Sequence, residues 1–183
     1  MCHPAVGDNG RVSAAGPTQT TDADGRPDLH VCVVCSGNIC RSPIGEIVLR
    51  AALTEAGLGD RVRVSSAGTG DWHVGQSANP RAARVLRAAG YPTDHVARQI
   101  TVDDLAGIDL VLAADRGHLK ELRRLTDHPD RIRMLRSFDP DADTDEVPDP
   151  YYGPDAGFDE VLAMIEAATP GIVQEIRGML GAS

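Results

Sequence analysis

The sequence predicts an α/β protein, with a parallel sheet covered by helices on both faces. Two observations carry that expectation. Short apolar runs recur along the chain, at Leu29 to Val34, Val62 to Val64, Asp109 to Ala114 and Arg131 to Leu135. Segments with helical spacing of apolar residues separate them, and a strand–helix–strand alternation makes crossover connections, which parallel strands require.

The first run leads into Cys35-Ser36-Gly37-Asn38-Ile39-Cys40-Arg41-Ser42-Pro43. After Pro43, the residues Ile44, Ile47, Val48, Leu49 and Leu53 form an amphipathic helical pattern that Gly57 should end. Ser42 is expected to cap that helix, with Pro43 in its first turn, and can also donate to the Cys35 sulfur. A second strand over Val62 and Val64 enters a loop at Ser65-Ser66-Ala67-Gly68. The Gly-rich loop after it carries the only Trp, Trp72. Asn79-Pro80 starts a helix through Leu86 that Gly90 closes, and Thr101-Val102-Asp103-Asp104 has the form of a capping box. The third strand, Asp109 to Ala114, is followed by a helix from Asp115 to about Leu125. The last strand precedes an acidic, Pro-rich loop from Ser137 to about Ala156. A closing helical region runs from Phe158, and Pro170 is expected to kink or restart it.

At 183 residues, with 42% hydrophobic and 25% charged content, the chain fits one globular domain with a sizeable core. Residues 1–28 hold almost no large apolar side chain and read as a disordered tail, leaving 29–183 as the domain. A net charge of −9 argues against nucleic acid or an anionic membrane as partner. No apolar stretch reaches spanning length. The start lacks a signal-peptide pattern, and three of the four cysteines fall within Cys32 to Cys40 rather than in a disulfide framework. A reducing cytoplasm is the expected compartment, with export lacking a cleaved signal as the alternative.

The stretch from Cys35 to Arg41 is the informative one. It joins a strand's carboxyl end to a helix's amino end, where loop amides and the helix dipole favour an anion. Gly37 admits close backbone approach, and Asn38 tolerates a left-handed conformation. There is no Gly-Lys-Ser/Thr for a nucleotide with magnesium. Instead Cys35 opens the loop and Arg41 closes it, which suits phosphoryl transfer to sulfur with a guanidinium fork on the phosphoryl oxygens.

This signature resembles that of the low-molecular-weight protein tyrosine phosphatases, in particular their bacterial branch. The likeness continues through Ser65-Ser66-Ala67-Gly68, Asp71-Trp72, His95-Val96-Ala97-Arg98-Gln99 and Asp149-Pro150-Tyr151-Tyr152-Gly153, and covers roughly Leu29 to the C-terminus. The resemblance implies a Rossmann-like three-layer fold with four strands in the order 2-1-3-4. It implies hydrolysis of phosphotyrosine through a cysteinyl-phosphate, without cofactor or metal, by a monomer that takes a phosphotyrosine protein and releases inorganic phosphate. Cys35 would be the nucleophile, Arg41 the clamp and Asp149 the acid, then base, among several neighbouring acids expected to be solvated. The loop residues Ser36, Gly37, Asn38, Ile39, Cys40 and Ser42 would bind phosphate, and Trp72, Tyr151 and Tyr152 would rim a deep slot. Asn38, Ser65 and His95 would support the loop. Tyr151 and Tyr152 resemble sites that kinases phosphorylate.

Cys40, brought near Cys35 by the wrap, can form a reversible disulfide with it. Cys32 and Cys35 lie three apart on an extended strand and should face opposite ways, which disfavours a redox pair or a metal cluster with His30. Thiol-linked arsenate reductases share the loop but need a further cysteine pair, and nothing after Cys40 is Cys. Protein-arginine phosphatases carry Thr where this chain has Ile39. A phosphotyrosine-binding module would not need Asp149 together with Cys35.

Overall fold

A computed structural model describes residues 26–181. The elements are β1 (Leu29–Cys35), α1 (Arg41–Glu55), β2 (Val62–Gly68), α2 (Pro80–Ala88), α3 (Val102–Ala106), β3 (Leu110–Ala113), α4 (Arg116–Arg123), β4 (Ile132–Met134) and α5 (Ala156–Gly181). The four strands are parallel in the order β2-β1-β3-β4. The tail reading for residues 1–28 falls outside the described residues except at 26–28, where Asp28 accepts from Arg61 Nε at 2.6 Å.

Alternation along β1 divides the core. Val31, Val33 and Cys35 pack with α1, α2 and α5, whereas Cys32 and Val34 face Leu105 of α3 and Leu122 of α4. Cys32 and Cys35 therefore sit on opposite faces of the sheet, and no CxxC pair exists. Burial pushes the Cys32 thiol up to about 11. No helix among the described residues is long and apolar enough to cross a membrane.

The helix stops fall at Gly57 and Gly90, with φ of 73° and 84°. The Asn79 cap and the Thr101–Asp104 capping box both form. Two expectations need correcting. Ser42 does not cap α1: the helix begins at Arg41, and Cys40 at the cap position makes no side-chain bond. The Ser42 hydroxyl is instead taken by Cys35 and Asn38. Pro170 does not restart α5, which runs unbroken from Ala156 to Gly181. Val161 and Ile165 before it and Ile172 and Ile176 after it are buried in one core, enough apolar area to offset the roughly 3 kcal/mol of an interior proline. A Cβ on Gly171 would lie 2.1 Å from the Phe138 carbonyl oxygen, so the helix meets the Leu135–Phe138 turn backbone to backbone.

Candidate active site

β1 is central in the sheet and delivers Cys35 to the carboxyl edge, where the strand order reverses between β2 and β3. From Cys35 to Cys40 the chain wraps tightly, with Asn38 left-handed at φ 56°. The wrap is held by its carbonyls. Those of Cys35 and Ser36 accept from Thr69 N and Gly70 N, each at 2.9 Å, and that of Ile39 accepts from Asn79 N at 2.8 Å. The Asn38 carbonyl accepts from His95 Nε2 at 2.7 Å. With the carbonyls bound outward, the amides of Ser36 to Cys40 donate to no protein acceptor among the described residues. Such an arrangement forms an anion-binding nest. Gly68 makes the approach possible, since a Cβ there would sit 2.6 Å from the Ser36 oxygen.

Beneath the wrap lies a polar chain. Asn38 is fully buried; its Nδ2 donates to Ser42 Oγ (2.8 Å) and Ser66 Oγ (2.9 Å), and its Oδ1 accepts from Arg98 N at 2.9 Å. Ser66 in turn donates to Glu46. Because Ser42 Oγ accepts from Asn38, its own proton is free for Cys35 Sγ, 3.0 Å away.

Ser65 does not support the loop as expected. Its hydroxyl meets His30 Nε2 at 2.7 Å, and Ser66 occupies the supporting place. Alternation along β2 is the reason: Val62 and Val64 face the α1 side, and so does Ser66. His95 points its Nε2 at the Asn38 carbonyl, with Nδ1 3.8 Å from Glu46 Oε2.

Arg41, 3% exposed, is anchored through one nitrogen. Its NH1 donates to Asp115 Oδ2 at 2.8 Å and to the Val147 carbonyl at 3.0 Å. NH2 has only longer partners, Ser36 Oγ and Asp149 Oδ2, both at 3.5 Å. Nε donates to no protein acceptor among the described residues. The Nε–NH2 edge is thus the less committed one.

Asp115 was not foreseen as a site residue. It caps α4 immediately beyond β3, whose Ala113 is in register with Val34. Burial opposes its charge, but the His118 N–H, the His118 ring and Arg41 outweigh burial and hold the carboxyl below its usual range. His118, also unforeseen, is buried and reaches Ser36 Oγ with Nε2 at 2.9 Å. Burial, and then Arg41, lower its pKa, while Asp115 pulls the other way.

Above Cys35 opens a cavity of about 380 Å³, lined by Ser36, Gly37, Ile39, Cys40 and Arg41, and rimmed by Trp72, His73, Asp149, Tyr151 and Tyr152. Trp72 is 69% exposed and so is rim rather than core. The Tyr151 and Tyr152 rings meet edge to face at 4.8 Å. Asp149 is half-exposed; its Oδ1 accepts from Tyr151 N at 3.1 Å. Of the nearby acids, Asp143 is 87% exposed, as expected of a solvated group, while pairing with Arg136, and Asp145, 33% exposed, pairs with Arg116. Cys40 is buried, and desolvation, followed by the charges of Cys35 and Asp149, pushes its thiol up to about 12.

A sequence profile described as low molecular weight phosphotyrosine protein phosphatase matches residues 30–179. The protein named low molecular weight protein-tyrosine phosphatase A in Mycobacterium tuberculosis is 56% identical over 146 residues, spanning 79% of this chain and 89% of that protein. A human protein named low molecular weight phosphotyrosine protein phosphatase is 38% identical over 135 residues, spanning 72% of this chain and 85% of its own. Among solved structures, a protein tyrosine phosphatase from Entamoeba histolytica superposes with a TM-score of 0.79 at 32% identity, over 82% of this chain and 97% of that one.

Proposed function

The chain belongs to the low molecular weight phosphotyrosine protein phosphatase family, and on that premise we propose that Cys35, Arg41 and Asp149 hydrolyse phosphotyrosine in two steps. The observation that carries the assignment is the nest itself: carbonyls held outward, amides free, one edge of Arg41 held only by contacts of 3.5 Å, and the Cys35 sulfur at its base.

In the first step the Cys35 thiolate attacks phosphorus and the bond to the aryl oxygen breaks. Asp149 gives that oxygen its proton. The nest amides and the Arg41 edge stabilise the equatorial oxygens. In the second step Asp149, now a carboxylate, takes a proton from water. Water attacks the cysteinyl-phosphate, and sulfur leaves as thiolate with the Ser42 hydroxyl donating to it. Inorganic phosphate is the product. Ser36, Gly37, Asn38, Ile39 and Cys40 supply the nest, and the Asn38–Ser66–Glu46 chain with His95 keeps its shape.

Depth and rim select the aryl ester. Cys35 is 3% exposed at the bottom of a cavity walled by Trp72, Tyr151 and Tyr152, beyond the reach of a phosphate carried on a short aliphatic side chain. Ile39 lines the wall where the aryl ring enters. Residues 29–183 form the catalytic domain, acting as a monomer. Three buried free thiols, Cys32, Cys35 and Cys40, fit a reducing compartment such as the cytoplasm. Turnover of phosphotyrosine peptides that disappears in Cys35→Ser, with phosphoserine peptides left untouched by wild type, tests the assignment. Equal rates on both peptide classes would contradict it.

A further inference from the structure

Asp149 lies in a stretch, Asp139 to Asp155, that contains no helix or strand. On its N-terminal side the stretch is tied down by Arg41 on the Val147 carbonyl and by Arg136 on the Glu146 carbonyl. On its C-terminal side Arg84 NH2 donates to the Asp155 carbonyl at 3.2 Å, and nearer Asp149 the tie comes from Arg81, the second residue of α2 and outside the cavity lining. Its NH2 donates to the Tyr151 carbonyl at 2.6 Å, and its NH1 to the Gly153 carbonyl at 2.9 Å. The guanidinium stacks over Phe158 at 4.5 Å, which fixes its plane against the core.

Tyr151 is held at both ends of its backbone. Arg81 takes its carbonyl, and its N–H donates to Asp149 Oδ1. The same first turn of α2 also grips the phosphate loop, because Asn79 N donates to the Ile39 carbonyl and Asn79 Oδ1 caps Arg81 N. One helical turn therefore holds both the nest and the segment that follows the acid. We infer that Arg81 is a positioning residue for Asp149, acting through the Tyr151 backbone. The inference rests on the reading of Asp149 as the acid. A fork that spans two carbonyls is a guanidinium property that Lys copies only in part. Misplacing a reacting group by about 1 Å can cost a hundredfold in rate.

The test is steady-state kinetics of the full chain on aryl phosphates whose leaving groups range from nitrophenol to phenol, for wild type, Arg81→Met, Arg81→Lys, Asp149→Asn and the double variant Arg81→Met/Asp149→Asn. Arg81→Met should lose about tenfold or more in kcat/KM on phenyl phosphate and less than about threefold on nitrophenyl phosphate, since kcat/KM reports the transfer to sulfur, where general acid help scales with leaving-group need, and not the hydrolysis step common to all substrates. Vanadate inhibition and the melting temperature should stay near wild type. Arg81→Lys should recover part of the loss. In the Asp149→Asn background, Arg81→Met should add almost nothing. A uniform loss across the series, no loss, or an undiminished effect in the double variant would each overturn the inference. Asp149→Asn alone reports separately on the acid: a series no steeper than wild type would remove Asp149 from that role whatever Arg81 does.

Discussion

Replacing Asn38 tests how much of the nest is held by one side chain. Asn38 makes three side-chain bonds, to Ser42, Ser66 and the Arg98 amide, all in a fully buried place at φ 56°. In Asn38→Ala, Ser66 keeps Glu46 and Ser42 keeps Cys35, but the Arg98 amide loses its acceptor. Net loss of neutral hydrogen bonds at about 1 kcal/mol each, with an orphaned donor at about 1–3 kcal/mol, dominates the balance. The left-handed backbone adds roughly 1 kcal/mol for alanine, because its Cβ crowds the carbonyl. With the bonds to Ser42 and Ser66, the orphaned Arg98 donor and the backbone share, the expected total is about 4–6 kcal/mol, or a drop in Tm on the order of 10–20 °C for a domain of this size. Urea and thermal melts of Asn38→Ala and Asn38→Gly would measure it, with glycine recovering only the backbone share. Equal stability of the two variants would refute the left-handed strain. A loss under about 1 kcal/mol in both would refute the hydrogen-bond accounting.

Asp115→Asn should weaken vanadate inhibition and lower kcat/KM by about 10–100-fold, the worth of one charge-assisted bond to Arg41, and lower Tm by several degrees for the same lost bond; unaltered inhibition would remove Asp115 from the anchoring of Arg41. Oxidant should inactivate the enzyme reversibly through a Cys35–Cys40 disulfide. Because the Cys40 thiol is pushed up to about 12, closure of that disulfide should speed up steadily from pH 7 to 10; full thiol recovery in Cys40→Ser after the same oxidation would deny Cys40 a protective role. His118 is buried with its pKa lowered, so the unfolded chain binds its proton first. Stability from this group is present above pH about 6.5 and lost as pH falls below it. Urea midpoints between pH 7 and 5 should decline less steeply in His118→Gln, and an unchanged slope would contradict that sign.

Most of the sheet and helix order is legible in the sequence because each element carries its own punctuation. The Asn79-Pro80 start, the Thr101–Asp104 box and the Gly57 and Gly90 stops are local chemistry, and local chemistry decides element ends. The placing of Cys35 and Arg41, the proposed nucleophile and clamp, is legible for the same reason, since five residues of one loop set their spacing. What escapes is long-range. Asp115 and His118 reach Arg41 and Ser36 only because β3 lies beside β1, a pairing that no local pattern states. Ser66 was within reach, because period-two alternation from Val62 and Val64 places it, not Ser65, on the side of the loop. Glu46 carried a weaker signal, four residues after Ser42 on one face of α1. Ser42 and Pro170 misled for one shared reason: a local preference for capping or for breaking a helix gives way when tertiary partners take the group or bury both flanks.

Covalent phosphorylation of Cys35 is the claim on which the rest depends. Acid quenching of enzyme turning over nitrophenyl phosphate, followed by peptide mapping under acidic conditions, observes it directly. The account predicts a phosphate adduct on the peptide that contains Cys35, confined to that sulfur and absent from Cys35→Ser. An active enzyme with no adduct in Asp149→Asn, where slowed hydrolysis should let it accumulate, or with phosphate on another residue, would contradict it.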